Sequence, residues 1–307
     1  MAWLPGGHVL SVRQFDREAL REIMEVADGL STVVPEHPAA GRVMATIFYE
    51  PSTRTRLSFE AAMIRLGGAV ISTENAAQMS SAAKGESLRD TIRIVSGYAD
   101  VIVLRHHDQG SAAIAAEVAP VPVVNAGDGP GEHPTQALLD AYTIRRRRGG
   151  LEQLHTVFLG DSLYGRTVHS LCLLLAQYPG QRHTFVSPPE AEPPGHLLDA
   201  LREAGVEITV LTDVQAAVHD ADVLYVTRVQ KERFTDLGRY QAASGRYWVG
   251  PELLAALPER AMILHPLPRL QELPEATDAD PRAAYFEQAR LGIPIRMALL
   301  GRALGVL

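Results

Sequence analysis

The chain is organised by one repeated order: a short apolar run rich in Val, Ile and Leu, a polar turn, then a segment of helical period. Val43-Met-Ala-Thr-Ile-Phe48 is the clearest case, because it stops at Glu50-Pro51 and is followed at once by Leu57, Ala61 and Ile64 on one helix face. Runs at 69–72, 101–104 and 121–125 continue the pattern, and a second series stands at 156–159, 183–186, 206–211, 223–227 and 262–264. Strands that alternate with helices pair in parallel, with helices over both sheet faces. The expected fold is therefore α/β, with two similar domains, each a mostly parallel sheet flanked by helices.

With 307 residues the chain is long enough for roughly two cores. Gly149-Gly150 is the natural linker, since the alternation restarts beyond it. Residues 11–30 read as an amphipathic helix through Leu20, Ile23, Met24 and Ala27, and further helices are expected from Ser87 to Ala99, from Pro134 to Arg148, and at 165–178, 195–204 and 213–219. Residues 74–86 carry neither period and read as a loop. The last segment, from about 284 to 307, reads as a helix broken near Gly292 to Pro294.

Charged residues at 21% and hydrophobic ones at 46% are ordinary for a folded protein. The formal net charge of -7 disfavours nucleic-acid binding, although a pocket inside an acidic protein can still be basic. The run 145–148 places four arginines at a helix C-terminus, where they suit the dipole as solvated surface. No apolar run approaches the ~18 residues that span a bilayer, and the first residues lack a basic region followed by an apolar core, so a cytoplasmic protein without membrane contact is expected. The single cysteine, Cys172, excludes an internal disulfide and a cysteine zinc site and reads as a core thiol.

In open parallel sheets ligands bind beyond the carboxyl ends of the strands, and the polar residues of this chain collect there. Ser52, Thr53, Arg54 and Thr55 open the helix after the first strand. The unsatisfied N–H groups and positive dipole end of that helix favour an anion, to which Arg54 adds a forked, permanent charge. The plain alternative is an N-cap at Ser52 beside two solvated arginines, Arg54 and Arg56. Arg105 ends another strand, Arg228 and Gln230 follow 223–227, and His265-Pro-Leu-Pro-Arg269 follows 262–264. One such residue would read as a salt-bridge partner, but the recurrence points to a cleft between the two domains, with the active site in it. His133 by itself reads as a cap-region histidine, and Lys84 as a solvated lysine.

A rival reading attaches to Gly160-Asp-Ser-Leu-Tyr-Gly-Arg-Thr167, which has the glycine spacing of a phosphate-binding loop and lies between a strand and a helix. Arg166 stands where that motif wants Lys, and no partner aspartate for magnesium is evident. A nucleotide-binding protein and a plain strand-to-helix turn are both open readings of this segment.

The string Pro51-Ser-Thr-Arg-Thr-Arg56, with Ser58-Phe-Glu60 after it, resembles the signature of the aspartate and ornithine carbamoyltransferases. The resemblance runs from about Phe48 to Leu300 through motifs in family order, including His133-Pro-Thr-Gln136, Tyr164-Gly-Arg-Thr-Val-His-Ser170 and His265-Pro-Leu-Pro-Arg269. It implies a carbamoyl phosphate-binding domain at 1–134, a connecting helix at 135–150, an aspartate-binding domain at 151–285, and a C-terminal helix at about 286–307 that returns to the first domain. Pro266 stands where ornithine enzymes carry Cys, and Arg228 with Gln230 suits a second substrate carboxylate, so the similarity is to the aspartate branch.

The activity this implies is carbamoyl transfer from carbamoyl phosphate to L-aspartate, giving N-carbamoyl-L-aspartate and phosphate, an early step of pyrimidine synthesis, with no cofactor and no metal. Carried over residue by residue, Ser52, Thr53, Arg54, Thr55, Ser80, Lys84, Arg105, His133, Gln136, Leu267 and Pro268 bind carbamoyl phosphate. Lys84, Arg166, Arg228, Gln230 and Leu267 bind aspartate, and Glu50 with Arg233 serves domain closure. Thr55, Arg105 and His133 would stabilise the oxyanion and Arg54 the leaving phosphate, while Leu267 and Gln136 orient the carbamoyl amide. The phosphate itself can take the proton from the attacking amine. The resemblance also implies a homotrimer in which Ser80 and Lys84 reach the neighbouring site, and it leaves open association with regulatory chains or a dihydroorotase. Leu163 departs from members that carry Lys there, which touches only contacts tied to closure.

Overall fold

Each half of the chain builds its own parallel sheet, and in each the strand order reverses direction once. In the computed structural model, which describes residues 7–32, 36–76, 85–229 and 247–307, the residues fall into two units. The first comprises the described residues up to Leu139 together with Leu291–Leu307, and the second comprises Asp140–Arg290.

In the first unit β1 (Val43–Phe48), β2 (Ala69–Glu74), β3 (Val101–His106) and β4 (Val123–Asp128) lie in the order β2-β1-β3-β4, all parallel. β1 pairs along its full length with β2, from Val43 opposite Ala69 to Phe48 opposite Glu74. Met44, Ala45, Thr46, Ile47 and Phe48 are all buried, because a parallel strand covered on both faces has no solvent side on which to place polar residues. The edge strand β2 is the exception, with Ile71 exposed. Helices α1 (Arg17–Thr32), α2 (Thr53–Arg65), α3 (Leu88–Val95) and α4 (Ser111–Val118) accompany the sheet, and Ile47, Ile92, Ile102 and Leu104 share one core cluster.

In the second unit β5 (His155–Leu159), β6 (Arg182–Val186), β7 (Glu207–Leu211), β8 (Val223–Val226) and β9 (Met262–Leu264) lie in the order β7-β6-β5-β8-β9, again all parallel. Helices α6 (Arg166–Leu175), α7 (Gly195–Glu203) and α8 (Pro251–Ala256) connect them, after α5 (Pro134–Arg148). Cys172 is buried, as its apolar neighbours require.

Several elements differ from the periodicity-based expectation. The segment 213–219 forms only a 3-10 turn at Gln215–Ala217, because Asp213 turns back to accept its Gln215 amide at 3.0 Å, a local bond that competes with helix. The first helix is split: Ser11 and Gln14 close a capping box on a 3-10 turn, and Asp16 then starts α1 by accepting the Ala19 N–H at 2.9 Å. The C-terminal helix α9 (Tyr285–Ala303) is continuous through Pro294. One lost backbone bond costs about 3 kcal/mol, and burial of Ile295, Met297, Leu299 and Leu300 offsets it. Beyond Leu291 that helix is tied within the first unit, with Arg302 donating to Glu22 at 2.6 Å and the Arg296 guanidinium 4.9 Å over the Phe59 ring.

One core residue makes stability depend on pH. His183 is fully buried on β6 between aromatic rings, and among the described residues neither ring nitrogen has a hydrogen-bond partner. Burial, then the nearby His155, depresses its pKa from 6.5 to about 3. The unfolded chain therefore binds a proton that the folded one refuses, and stability is lost as pH falls below 6.5 toward 3. At about pH 5 the loss from this group is about 2 kcal/mol at 1.36 kcal/mol per unit. Urea unfolding at about pH 7.5 and pH 5 is expected to show a fall in the parent chain that is smaller by about that amount in His183→Leu; equal falls would assign the acid sensitivity elsewhere.

Candidate functional site

Open α/β sheets bind ligands where the strand order reverses. In the first sheet this point lies between β1 and β3, and in the second between β5 and β8. The expected site residues lie at these strand ends: Ser52, Thr53, Arg54 and Thr55 in the segment after β1, Arg105 near the end of β3, Arg166 in the segment 160–166 after β5 and Arg228 in the segment 227–229 after β8.

In the first unit the chain leaves β1 through Tyr49, whose N–H donates to the Arg105 carbonyl at 2.8 Å, and enters α2 at Thr53. Ser52 occupies the N-cap, but its side chain makes no capping bond, so the plain capping role does not account for its hydroxyl. Thr55 is buried. The two arginines of the turn behave differently. Arg56 is ion-paired with Glu74 at 2.9 Å and with Glu60 at 3.5 Å and donates to Ser72, which ties α2 to β2. Arg54 is exposed at the helix start, and among the described residues no carboxylate pairs with it. The anion-favouring end of α2 thus carries one committed guanidinium and one available guanidinium.

Arg105 lies inside β3 rather than beyond it, since the strand runs on to His106. Its guanidinium is half-buried, 3.3 Å from the Glu50 carboxylate and in a hydrogen bond to the Ala126 carbonyl. Glu50, expected to serve domain closure, therefore contacts Arg105 within its own unit. His133 is buried immediately before α5, and its carbonyl receives the N–H groups of Gln136 and Ala137. The loop that delivers it is built on Asp128, whose carboxylate accepts from the Glu132 and Gly110 amides at 2.8 and 3.0 Å. Gly129 sits at φ +53, and a Cβ there would meet the His107 carbonyl at 2.5 Å, so the tight approach demands glycine. Ser80 and Lys84 lie outside the described residues.

The same region holds a candidate metal cluster of His106, His107 and Asp108, with ligand atoms within 4.8 Å of one another. His106 Nδ1 already accepts from the Asp108 N–H and faces the Ser111 hydroxyl at 2.9 Å, and burial lowers the ring's pKa. The lone pair a metal would take is committed to the start of α4.

In the second unit Gly160 follows β5 at φ +118, where an added Cβ would stand 2.2 Å from the Thr227 carbonyl. The ends of β5 and β8 meet there, with Thr227 N–H donating to Leu159 at 2.8 Å. Asp161, almost wholly buried, turns its carboxylate onto the Leu163 and Tyr164 amides at 3.1 and 2.9 Å. That bond pattern decides the rival reading: a phosphate-binding loop offers its backbone N–H groups to phosphates, and here a carboxylate occupies two of them. Sequence gave no signal for this role, because an aspartate in such a loop reads equally as a solvated turn residue. Arg166 opens α6 and Arg228 follows β8, both half-buried. Leu267 and Pro268 follow β9, with Leu267 at φ +57 and its N–H donating to His265 Nδ1 at 2.7 Å. Gln230 and Arg233 lie outside the described residues.

With this geometry in place, comparison with known proteins is specific. Residues 7–146 match the family described as "Aspartate/ornithine carbamoyltransferase, carbamoyl-P binding domain", and residues 152–302 match "Aspartate/ornithine carbamoyltransferase, Asp/Orn binding domain". The chain belongs to the aspartate/ornithine carbamoyltransferase family.

Within that family it is 52% identical over 304 residues to the chloroplastic aspartate carbamoyltransferase of Oryza sativa subsp. japonica, covering 96% of this chain and 84% of that protein. It is 48% identical over 311 residues to the aspartate carbamoyltransferase catalytic subunit of Thermococcus onnurineus, covering 100% and 99%. Among solved structures, the catalytic subunit of M. jannaschii aspartate transcarbamoylase superposes with a TM-score of 0.89 at 44% identity over 97% of this chain and 98% of that one. Aspartate transcarbamoylase from Trypanosoma cruzi in complex with N-(phosphonacetyl)-L-aspartic acid gives 0.91 at 39% identity over 98% and 96%. Among the described residues no helix is long and apolar enough to cross a membrane.

The switch-point glycine of this carbamoyltransferase provides a stability test. Gly160→Ala places a methyl group against backbone at a left-handed φ and is expected to destabilise the chain by about 2 kcal/mol or more, read from the urea midpoint; an unchanged midpoint would contradict the close approach to Thr227.

Proposed function

We infer that this chain transfers the carbamoyl group of carbamoyl phosphate to the amine of L-aspartate, releasing phosphate and N-carbamoyl-L-aspartate. The observation that carries this reading is the α2 N-terminus at the first sheet's switch point, with uncapped Ser52, buried Thr55 and available Arg54, in a chain whose relatives are named aspartate carbamoyltransferases. In the proposed mechanism the phosphate sits on the first-turn amides of α2, with Ser52, Thr53, Arg54 and Thr55 around it, and Arg54 stabilises the charge that grows on the departing phosphate. Thr55, Arg105 and His133 donate to the carbonyl oxygen as it becomes an oxyanion, and Gln136 with the backbone of Leu267 and Pro268 fixes the carbamoyl amide. Arg166 and Arg228 take the two aspartate carboxylates, and Gln230 and Lys84 complete that subsite. Holding two mutually repelling anions in register supplies much of the rate.

Aspartate is favoured over ornithine by two arginines where a second carboxylate must be neutralised and by Pro266 after His265. The purified chain is expected to form carbamoyl-aspartate from aspartate and to leave ornithine unreacted. Arg54→Ala should lower turnover by about 10²- to 10³-fold with a modest change in the carbamoyl phosphate KM; turnover near that of the parent would remove Arg54 from the leaving-group role.

The proposal extends to a cytoplasmic homotrimer in which Ser80 and Lys84 enter a neighbouring subunit's site and Glu50 and Arg233 act in closure. Exposed Leu57 and Ile64, seven residues apart on α2, support self-association of that helix face. Mixing Lys84→Ala chains with Arg54→Ala chains is expected to restore activity, because some sites then receive both intact residues. Mixtures as inactive as their parents would mean self-contained sites.

A further inference from the structure

The turn after β9 is held by a pair of buried groups that the mechanism above does not use. Leu267 stands at φ +57, a left-handed conformation that costs a residue with a side chain about 1–2 kcal/mol and that persists only where neighbours impose it. What imposes it is His265, whose ring is buried and whose Nδ1 accepts the Leu267 N–H at 2.7 Å. An acceptor at Nδ1 places the ring proton on Nε2, and Nε2 faces the Glu272 carboxylate at 3.1 Å. The same Glu272 oxygen accepts the Leu270 N–H at 2.8 Å, so one carboxylate closes both ends of the turn. Glu272 is itself buried; burial alone would raise its pKa, but the bonds from His265 and Leu270 outweigh that and hold it below the usual carboxylate range. The start of the turn is fixed independently: Gln288 accepts the His265 N–H at 2.9 Å and donates to Asp140 at 2.6 Å, and Asp140 receives the Tyr225 hydroxyl at 2.7 Å.

We propose that His265 and Glu272 are positioning residues for carbamoyl transfer, selecting the ring tautomer that holds the Leu267 backbone in the one conformation from which it can orient the reacting amide. This rests on the reading that the Leu267–Pro268 backbone contacts substrate. Protonation at Nδ1, or loss of the Glu272 acceptor, removes the bond that keeps Leu267 left-handed, and the carbonyl beyond it turns away. The anion anchors of the first unit belong to other elements and stay in place. The defect is therefore one of orientation, which appears in turnover rather than in affinity for carbamoyl phosphate or phosphate.

The test is steady-state kinetics of the full chain with carbamoyl phosphate and aspartate, with inorganic phosphate as a competing probe of the phosphate subsite. His265→Asn keeps an acceptor oxygen near the Nδ1 position and is expected to retain kcat within about threefold, whereas His265→Ala is expected to lose on the order of 10- to 100-fold in kcat. In both variants the KM for carbamoyl phosphate and the inhibition constant of inorganic phosphate should stay within about threefold of the parent values. If His265→Ala does not fold, Glu272→Gln, which keeps an acceptor, against Glu272→Leu, which does not, is expected to give the same split. Equal kcat in the acceptor-keeping and acceptor-lacking variants, or a loss that appears in KM and phosphate inhibition together, would overturn the proposal. Failure of the parent chain to form carbamoyl-aspartate would instead overturn the functional reading on which it rests.

Discussion

A parallel sheet delivers its chain to one edge, and the loops at that edge have no ladder partners for their amides. This protein solves that problem in both units in the same way. A buried acceptor group at the strand end takes the loop N–H groups: Asp128 as the last residue of β4, Asp161 after β5, and His265 with Glu272 after β9. Each acceptor is nearly inaccessible to water, where an unpaired polar group would be costly and a satisfied one rigidifies its surroundings. The loops that bear His133, Arg166 and Leu267 are thus fixed from beneath. Everything proposed for the site depends on this, because misplacement of a donor by about 1 Å is enough to cost most of its catalytic value.

The strands were legible in the sequence because covering a parallel sheet on both faces leaves unbroken apolar runs, and β1, β3, β5 and β8 read that way directly. Helices were less legible where local side-chain bonds compete with the helical ladder, as at Ser11 with Gln14 and at Asp213. Pro294 misled in the opposite direction, since a proline signals a break by its lost donor while the burial that overrides it is tertiary and invisible to local pattern. The short helix Ser111–Val118 gave little periodic signal because four of its eight residues are alanines spread around the helix, so that Ile114 and Val118 make no distinct stripe.

The site was legible as residue types at strand ends and illegible as commitments. Arg54 and Arg56 are two residues apart and chemically identical, yet one is tied to Glu74 and Glu60 and the other is not. The distinction depends on which glutamates β2 and α2 bring alongside, which is a matter of register. Asp161 shows the same limit from another side. Glycine spacing at 160–167 fits a phosphate loop, but a carboxylate that accepts two loop amides converts that segment into a rigid ledge for Arg166. Spacing encodes where a chain can turn; it does not encode what the turn's amides will face.

The pairing of Arg105 with Glu50 fits the proposed chemistry in a way spacing could not suggest. A half-buried guanidinium left alone would hold whichever small anion was available, or would relax its side chain away from the strand end. Glu50 at 3.3 Å gives it a resident partner, alongside the Ala126 carbonyl. Under the proposed function, a carbamoyl phosphate seated on the α2 amides beside Arg54 would bring its oxygens, the developing carbonyl oxyanion among them, to the same fork. On that proposal Glu50 would give way to a ligand that also engages the helix end, whereas a single carboxylate from solution would gain little over the one it must replace. Under this reading the salt bridge keeps Arg105 aimed along β3 in the absence of substrate and biases the site toward an anion that can use both features at once.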